Sequence, residues 1–345
     1  MNWNLPFATY RQPVLGRNVV ATSQPLAAQA GAAAFARGGN AIDAALAAAI
    51  TLTVVEPVMN GIGGDAFALV WDGDKLHGLN SSGRSPAGWN PERFKGMDAM
   101  PQRGWESVTV PGQVAGWAAL SKRFGKLPFE DLFSDAIRHA RDGFPVSPVI
   151  ARQWKQSVVD LHMHPGFDAF MPNGRAPEVG EIWRFSDQAA TLEEIARTGG
   201  ESFYRGRLAD AICSHAALHG AALSHADLAD HQSEWVEPVS QSFRGHEVHE
   251  IPPNGQGMAA LMALGILEQL PYEETPAGSA QRAHLEIEAM RLAFADLHAH
   301  VGDPAHMRFS AADLLDKAYL KERARSIDPK KAGRHQAGAP KSSGT

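Results

Sequence analysis

The stretch from Ala44 to Val55 carries no charged residue, has only Thr51 and Thr53 as polar members, and is closed by Glu56-Pro57. It is shorter than the roughly 20 apolar residues that span a bilayer, so it reads as a helix buried on most sides and belongs to the core. Asn40 stands where it would cap this helix, with Asp43 three residues on. Next come Gly61-Ile62-Gly63-Gly64-Asp65, the apolar run Ala66 to Trp71, the turn Asp72-Gly73-Asp74 and a second run around Leu76 to Leu79, which predicts a β-hairpin. The order decides what the glycines can be. Phosphate loops and dinucleotide fingerprints follow a strand and open a helix, so that helix N–H groups meet the phosphate. Here a helix precedes, a strand follows, and no Lys-Ser/Thr completes the pattern. The glycines therefore read as a tight helix-to-strand turn.

Val19-Val20-Ala21-Thr22 reads as a short strand, after which Ser23 caps a helix that opens with Pro25 and runs to Arg37. From Pro111 onward the chain is mainly helical. Leu127-Pro128 precedes a helix through Arg141 that stops at Asp142-Gly143. Ala283, Ile287, Met290, Phe294, Leu297 and Val301 recur in steps of four and three, predicting a helix over 281–301 with one apolar stripe, ended by Gly302-Asp303-Pro304. The stretch 330–345 is rich in Gly, Ala, Ser and Lys without apolar period, and reads as a flexible tail. No firm boundary divides residues 1–329.

A net charge of −6 without a block of Lys or Arg speaks against nucleic acid and anionic membranes as partners. Cys213 is the only cysteine, so no internal disulfide forms and a cytoplasmic location fits, or a periplasmic one if a leader is removed. The N-terminus shows no basic start followed by an apolar run. Cys213 itself sits in a helical pattern and reads as a packing residue. The pairs His162-x-His164 and His298-x-His300 lack a second ligand cluster and read as surface or core-edge histidines, not a metal site. No Gly-x-Ser-x-Gly elbow occurs. Nothing local supplies a complete catalytic set.

A series of short tags runs through most of the chain in order. It begins with 20–27 (Val-Ala-Thr-Ser-Gln-Pro-Leu-Ala) and 39–45 (Gly-Asn-Ala-Ile-Asp-Ala-Ala), and is densest at Val55-Glu56-Pro57 followed by Gly61-Ile62-Gly63-Gly64. It continues through 110–117 (Val-Pro-Gly-Gln-Val-Ala-Gly-Trp), Phe124-Gly125, 140–144 (Ala-Arg-Asp-Gly-Phe) and 203–206 (Phe-Tyr-Arg-Gly). Leu228-Ala229, Phe243-Arg244-Gly245, Ile251-Pro252-Pro253 and Gly302-Asp303-Pro304 close it. In this order and separation the tags resemble the γ-glutamyltranspeptidase family.

The resemblance implies the four-layer αββα sandwich (α+β) of N-terminal-nucleophile hydrolases, with residues 1–329 the helix-rich large-subunit part of one domain and 330–345 leading to a self-cleavage site. The family's precursor cuts itself before a threonine, whose hydroxyl becomes the nucleophile and whose α-amine, titrating near about 7.7–8, is the base. Thr345 holds that place if the scissile bond is Gly344–Thr345; otherwise the nucleophile is the next residue. The implied partner is a small subunit from the same precursor in an obligate heterodimer, with pairing of two heterodimers left open. No cofactor is implied. The substrate is a small-molecule amide, first a glutathione-like γ-glutamyl amide released through an acyl-enzyme. Arg84, in the stretch 81–87 (Ser-Ser-Gly-Arg-Ser-Pro-Ala), is the candidate for binding the substrate carboxylate, because guanidinium matches carboxylate in a bidentate fork. Two departures keep alternatives open. Arg84 stands only two residues before Pro86, and Pro253-Asn254-Gly255-Gln256-Gly257 replaces a Ser-Ser-Gly-Gly stretch. Both features are similar to relatives that are cephalosporin acylases or oxamate amidohydrolases, and a non-catalytic homologue is a further reading.

Overall fold

The structure is a computed structural model that describes residues 14–171 and 173–341. Thr345 and the Gly344–Thr345 bond lie outside the described residues. In chain order the main elements are α1 (Pro25–Ala36), α2 (Ala41–Val55), the hairpin β1 (Ala66–Trp71) and β2 (Leu76–Ser81), α3 (Gln113–Phe124), α4 (Ser134–Asp142), β3 (Phe144–Pro145), α5 (Pro148–Leu161) and β4 (Ile182–Trp183). There follow α6 (Ser186–Thr198), α7 (Glu201–Arg205), α8 (Arg207–Leu218), α9 (His225–Ala229), β5 (Glu234–Val236), β6 (Val239–Phe243), β7 (His246–Glu250), α10 (Gly257–Leu267), α11 (Ala280–His300), α12 (Ala311–Leu314) and α13 (Lys317–Ala324). They fall into two compact units, a helical one of residues 14–66 and 81–234 and a mixed one of residues 67–80 and 235–341.

In the helical unit α1 and α2 pack through small residues, with Ala30 and Ala34 against Ala44 and Ala47. The approach is so close that a Cβ on Gly31 would stand 2.8 Å from the Ala44 carbonyl. The apolar helix expected from Ala44 to Val55 is there, its capping box formed by Asn40 and Asp43. Asp43 is fully buried and also accepts the backbone N–H groups of Lys126 and Leu127 at 3.1 and 3.3 Å, so one carboxylate both starts a helix and anchors a distant loop. Two local expectations fail here. Gln24, not Ser23, caps α1, its side chain accepting from Leu26 and Ala27, while the Ser23 hydroxyl turns to the buried Glu56 carboxylate that ends α2. Val19–Thr22 pairs with no strand among the described residues, because Val20 packs against the α1–α2 cluster instead. The segment before α4 winds first as a 3-10 turn over Phe129–Phe133, burying Leu132 and Phe133, and the helix stops at Gly143 as expected.

In the mixed unit a three-stranded sheet has the order β1-β2-β5, and β6 pairs antiparallel with β7 from Val239↔Glu250 to Phe243↔His246. That hairpin turns on Arg244 and Gly245, both at positive φ (54° and 78°), the geometry of a two-residue turn. The core gathers α10, α11 and α13 around Met258, Met262, Ile266, Leu292 and Leu320. Helix α11 is where expected, but its buried face is only partly the expected one. Leu297 of the predicted stripe is buried and Phe294 and Val301 pack against the core, whereas Ile287 and Met290 are 57% and 38% exposed and Leu285, Glu288, Ala289, Leu292, Ala293 and Asp296 are buried instead. Two carboxylates on the inward face hid it from a reading of apolar period. Residues 332–341 form no helix or strand, yet the part of the expected flexible tail that is described is tied to α11 by hydrogen bonds through Gly333, His335 and Gly338.

Candidate active site

Three stretches of the helical unit converge on the Arg84 loop. The glycine turn is closed by Gly64 N–H donating to the Gly61 carbonyl (3.1 Å), and Gly64 in turn accepts from Gln113 N–H (3.0 Å). A Cβ on Gly64 would stand 2.8 Å from Gln113 Oε1 and 3.2 Å from the Gly61 carbonyl, so the turn packs closely against the start of α3. The buried Ser81 hydroxyl donates to the Gly112 carbonyl at 2.6 Å and lies 2.7 Å from the Ser233 hydroxyl. Val110 N–H then donates to the Arg84 carbonyl at 2.9 Å. Gly83 sits at φ +71°, and a Cβ there would come within 1.8 Å of the Val110 carbonyl. The tag around Val110-Pro111-Gly112-Gln113 is thus the floor on which the Arg84 loop rests.

Below that floor the Tyr204 hydroxyl donates to the Pro111 carbonyl (2.8 Å) and accepts from Ala115 N–H (3.0 Å). Burial drives this phenol far above its ordinary range, so it remains a neutral strut. His231 stacks on Tyr204 with ring centroids 5.4 Å apart, and its Nε2 is buried without a hydrogen-bond partner. Burial holds the imidazole below its usual value, with the charge of Glu234 and a backbone hydrogen bond to Gly112 opposing and the charge of Arg84 adding to it. Neither Tyr204, His231 nor Glu234 carried a spacing signal that singled it out. Tyr204 lay in a quoted tag, but only the fold gives it a task.

Arg84 itself has a side chain 88% exposed, with the Glu234 carboxylate 3.6 Å away as its ion-pair partner. A pair this open contributes little to stability. A guanidinium on a firmly held backbone, standing out into solvent, can receive an anionic group; this loop contains no activated nucleophile. The expected histidine pairs do not converge. His300 Nε2 bonds the Gly338 carbonyl at 2.8 Å and His298 lies against Phe294, while His162 Nδ1 is 3.0 Å from the Val158 carbonyl and His164 meets Phe167 edge-on. No group of three or more His, Cys, Asp or Glu able to hold a metal occurs among the described residues. Cys213 is buried in α8 and its thiol is raised by burial, away from a reactive thiolate. Among the described residues no helix is long and apolar enough to cross a membrane.

The model of the family described as gamma-glutamyltranspeptidase matches residues 27–345. A glutathione hydrolase-like proenzyme of Bacillus subtilis (strain 168) is 38% identical over 315 residues, covering 90% of this chain and 60% of its own length. The crystal structure of cephalosporin acylase from Bacillus halodurans superposes with a TM-score of 0.88 at 45% identity, over 97% of this chain and 66% of that one. A γ-glutamyltranspeptidase from Pseudomonas nitroreducens does so at 0.86 and 28% identity, over 93% of this chain and 97% of that one. The chain therefore has the α+β fold of N-terminal-nucleophile hydrolases, of which it forms a helix-rich part. It belongs to the γ-glutamyltranspeptidase family. It spans about three fifths of the length of the curated relatives, which are proenzymes longer than this chain.

Proposed function

We propose that the chain is the large-subunit part of a self-cleaving precursor. The matured enzyme hydrolyses or transfers the acyl group of a carboxylate-bearing amide through a threonine ester, first of all a glutathione-like γ-glutamyl amide. The observation that carries this reading is the family match along residues 27–345, joined to an exposed Arg84 on a rigid loop. In this reading Arg84 grips the carboxylate of the acyl group, and the threonine hydroxyl attacks the amide carbonyl while its own α-amine takes the proton. The threonine is Thr345 or the residue after it.

The second reading, an amidohydrolase or acylase of the same family acting on an oxamate-like or cephalosporin-like amide, is favoured by two features, the short spacing from Arg84 to Pro86 and the stretch Pro253-Asn254-Gly255-Gln256-Gly257. The partner we infer is a smaller chain from the same precursor, in an obligate heterodimer. Support comes from strand β1, whose alternate residues Phe67, Leu69 and Trp71 are 43%, 40% and 64% exposed, an apolar face that a further layer would cover. The lone cysteine supports a cytoplasmic site of action.

Expression of the full-length precursor tests the proposal. We expect two chains, and release of amine from a γ-glutamyl anilide. Hydrolysis of oxamate or of an acylated cephalosporin, with the γ-glutamyl amide untouched, would transfer the assignment to the second reading. An intact chain inert on all three would reject both. The mass of the larger chain locates the cut, since an end at Gly344 makes Thr345 the nucleophile.

A further inference from the structure

The two carboxylates on the inward face of α11 have a task that core packing does not require. Glu288, with a side chain 1% exposed, accepts Gly333 N–H and His335 Nε2, each at 2.7 Å, and Arg291 at 2.9 Å. Asp296, with a fully buried side chain, accepts Gly338 N–H at 2.7 Å and Arg323 Nε at 2.9 Å. Arg323 donates again to the Gln336 carbonyl (2.7 Å), and His300 Nε2 lies 2.8 Å from the Gly338 carbonyl. Burying a carboxylate is costly, and apolar residues would fill a helix face more cheaply. Both acids nevertheless lie on that face, and both direct acceptors at one short segment.

The spacing makes this a clamp. From 288 to 296 a helix advances about 12 Å, and the five steps from 333 to 338 reach at most about 18 Å when extended. The segment therefore runs alongside α11, in the same direction, and is anchored near both ends. It is also fitted at its glycines. A Cβ on Gly338 would stand 2.4 Å from Tyr319 Oη and 2.9 Å from Arg323 Cδ, and one on Gly333 would stand 3.1 Å from Glu288 Oε2. Apolar burial holds little of it, since Pro340 is the one apolar residue of 332–341 that is buried.

We propose that Glu288 and Asp296 are positioning residues of self-cleavage: they hold residues 333–338 against α11 and so fix the point from which the chain runs on to the cleavage site. The inference rests on the self-cleaving reading above. In that step the threonine hydroxyl adds to the carbonyl carbon of the residue before it. The C–N bond breaks as the ester forms, and the amine gains the hydroxyl proton. Water then hydrolyses the ester to a carboxylate and a free threonine. Such an intramolecular attack depends on the reacting atoms being held together, with effective molarities that reach about 10⁵–10⁸ M in well-oriented cases.

The test uses full-length precursors carrying Glu288→Gln, Asp296→Asn or Gly338→Ala, the last of which displaces the segment and leaves both acids intact. Conversion to two chains is followed with time by intact mass. Amide exchange at Gly333 and Gly338 and the melting temperature are measured alongside. We expect conversion slowed by about tenfold or more and faster exchange at the two glycines, with melting lowered more by the carboxylate changes than by Gly338→Ala. The fraction that does mature should have the wild-type kcat/KM. Wild-type conversion in variants whose glycine amides exchange faster would overturn the proposal. If the carboxylate variants do not fold, Gly338→Ala decides alone by the same criterion. A wild-type precursor that never cuts itself would instead refute the functional reading, and the positioning role with it.

Discussion

Single residues in this chain act through what they hold. Arg84 was legible as a candidate only through the family resemblance, and its rigid setting was not legible at all: Gly83 at positive φ and Val110 N–H on the Arg84 carbonyl become visible only in the fold. An arginine–carboxylate contact in a partly desolvated site contributes about 1.5–3 kcal/mol net. We therefore expect Arg84→Lys and Arg84→Ala precursors to process normally, with kcat/KM on a γ-glutamyl amide lower by about tenfold to a few hundredfold. An analogue without the α-carboxylate should lose much less; an equal loss for both substrates would make Arg84 a turn residue. Asp43 is the structural counterpart. Removing it breaks the α2 capping box and leaves the N–H groups of Lys126 and Leu127 unsatisfied. Asp43→Ala should cost about 3 kcal/mol, seen as a lower urea midpoint at unchanged slope; an unchanged midpoint would show that water replaces the carboxylate.

At the scale of elements, α11 is the instructive case. Its extent followed from the period of apolar residues, but its orientation did not, because the rule that inward means apolar fails where buried acids have partners. Glu288 shows the balance involved. Burial alone would raise its pKa, but the Gly333 N–H, His335 and Arg291 together outweigh burial and hold it below its ordinary 4.5. The folded pKa lies below the unfolded one, so the contribution to stability is present above that ordinary value and is lost as pH falls through the folded value. On acidification below about pH 4, residues 333–338 should thus loosen from α11 before the core melts. Amide exchange at Gly333, compared between neutral and acid buffer, checks this; protection that persists until global unfolding would contradict it. In Glu288→Gln the acid-dependent step should vanish, since the glutamine does not titrate.

For the whole molecule, the proposed heterodimer is tested on the exposed apolar faces. The outward side of β1 and the exposed Ile287 and Met290 on α11 are apolar surfaces within the mixed unit. Residues 1–345 expressed alone should therefore aggregate or melt without a sharp transition, and co-expression with the remainder of the precursor should restore a cooperative melt. A soluble monomer with a sharp transition would count against an obligate heterodimer.

The sequence by itself determined the buried helix α2 with its cap, the β1–β2 hairpin, the structural nature of the glycine turn and the family, because each rests on local stereochemistry or on ordered tags. The tertiary structure decided the rest. That Gln24 caps α1 while Ser23 serves Glu56, that Gly112 and Tyr204 support the Arg84 loop, and that α11 turns Glu288 and Asp296 inward to grip residues 333–338 all depend on groups far apart in the chain. A polar side chain in a sequence gives no sign of its partner. Whether it faces water or the core is settled only when a donor arrives to offset its desolvation.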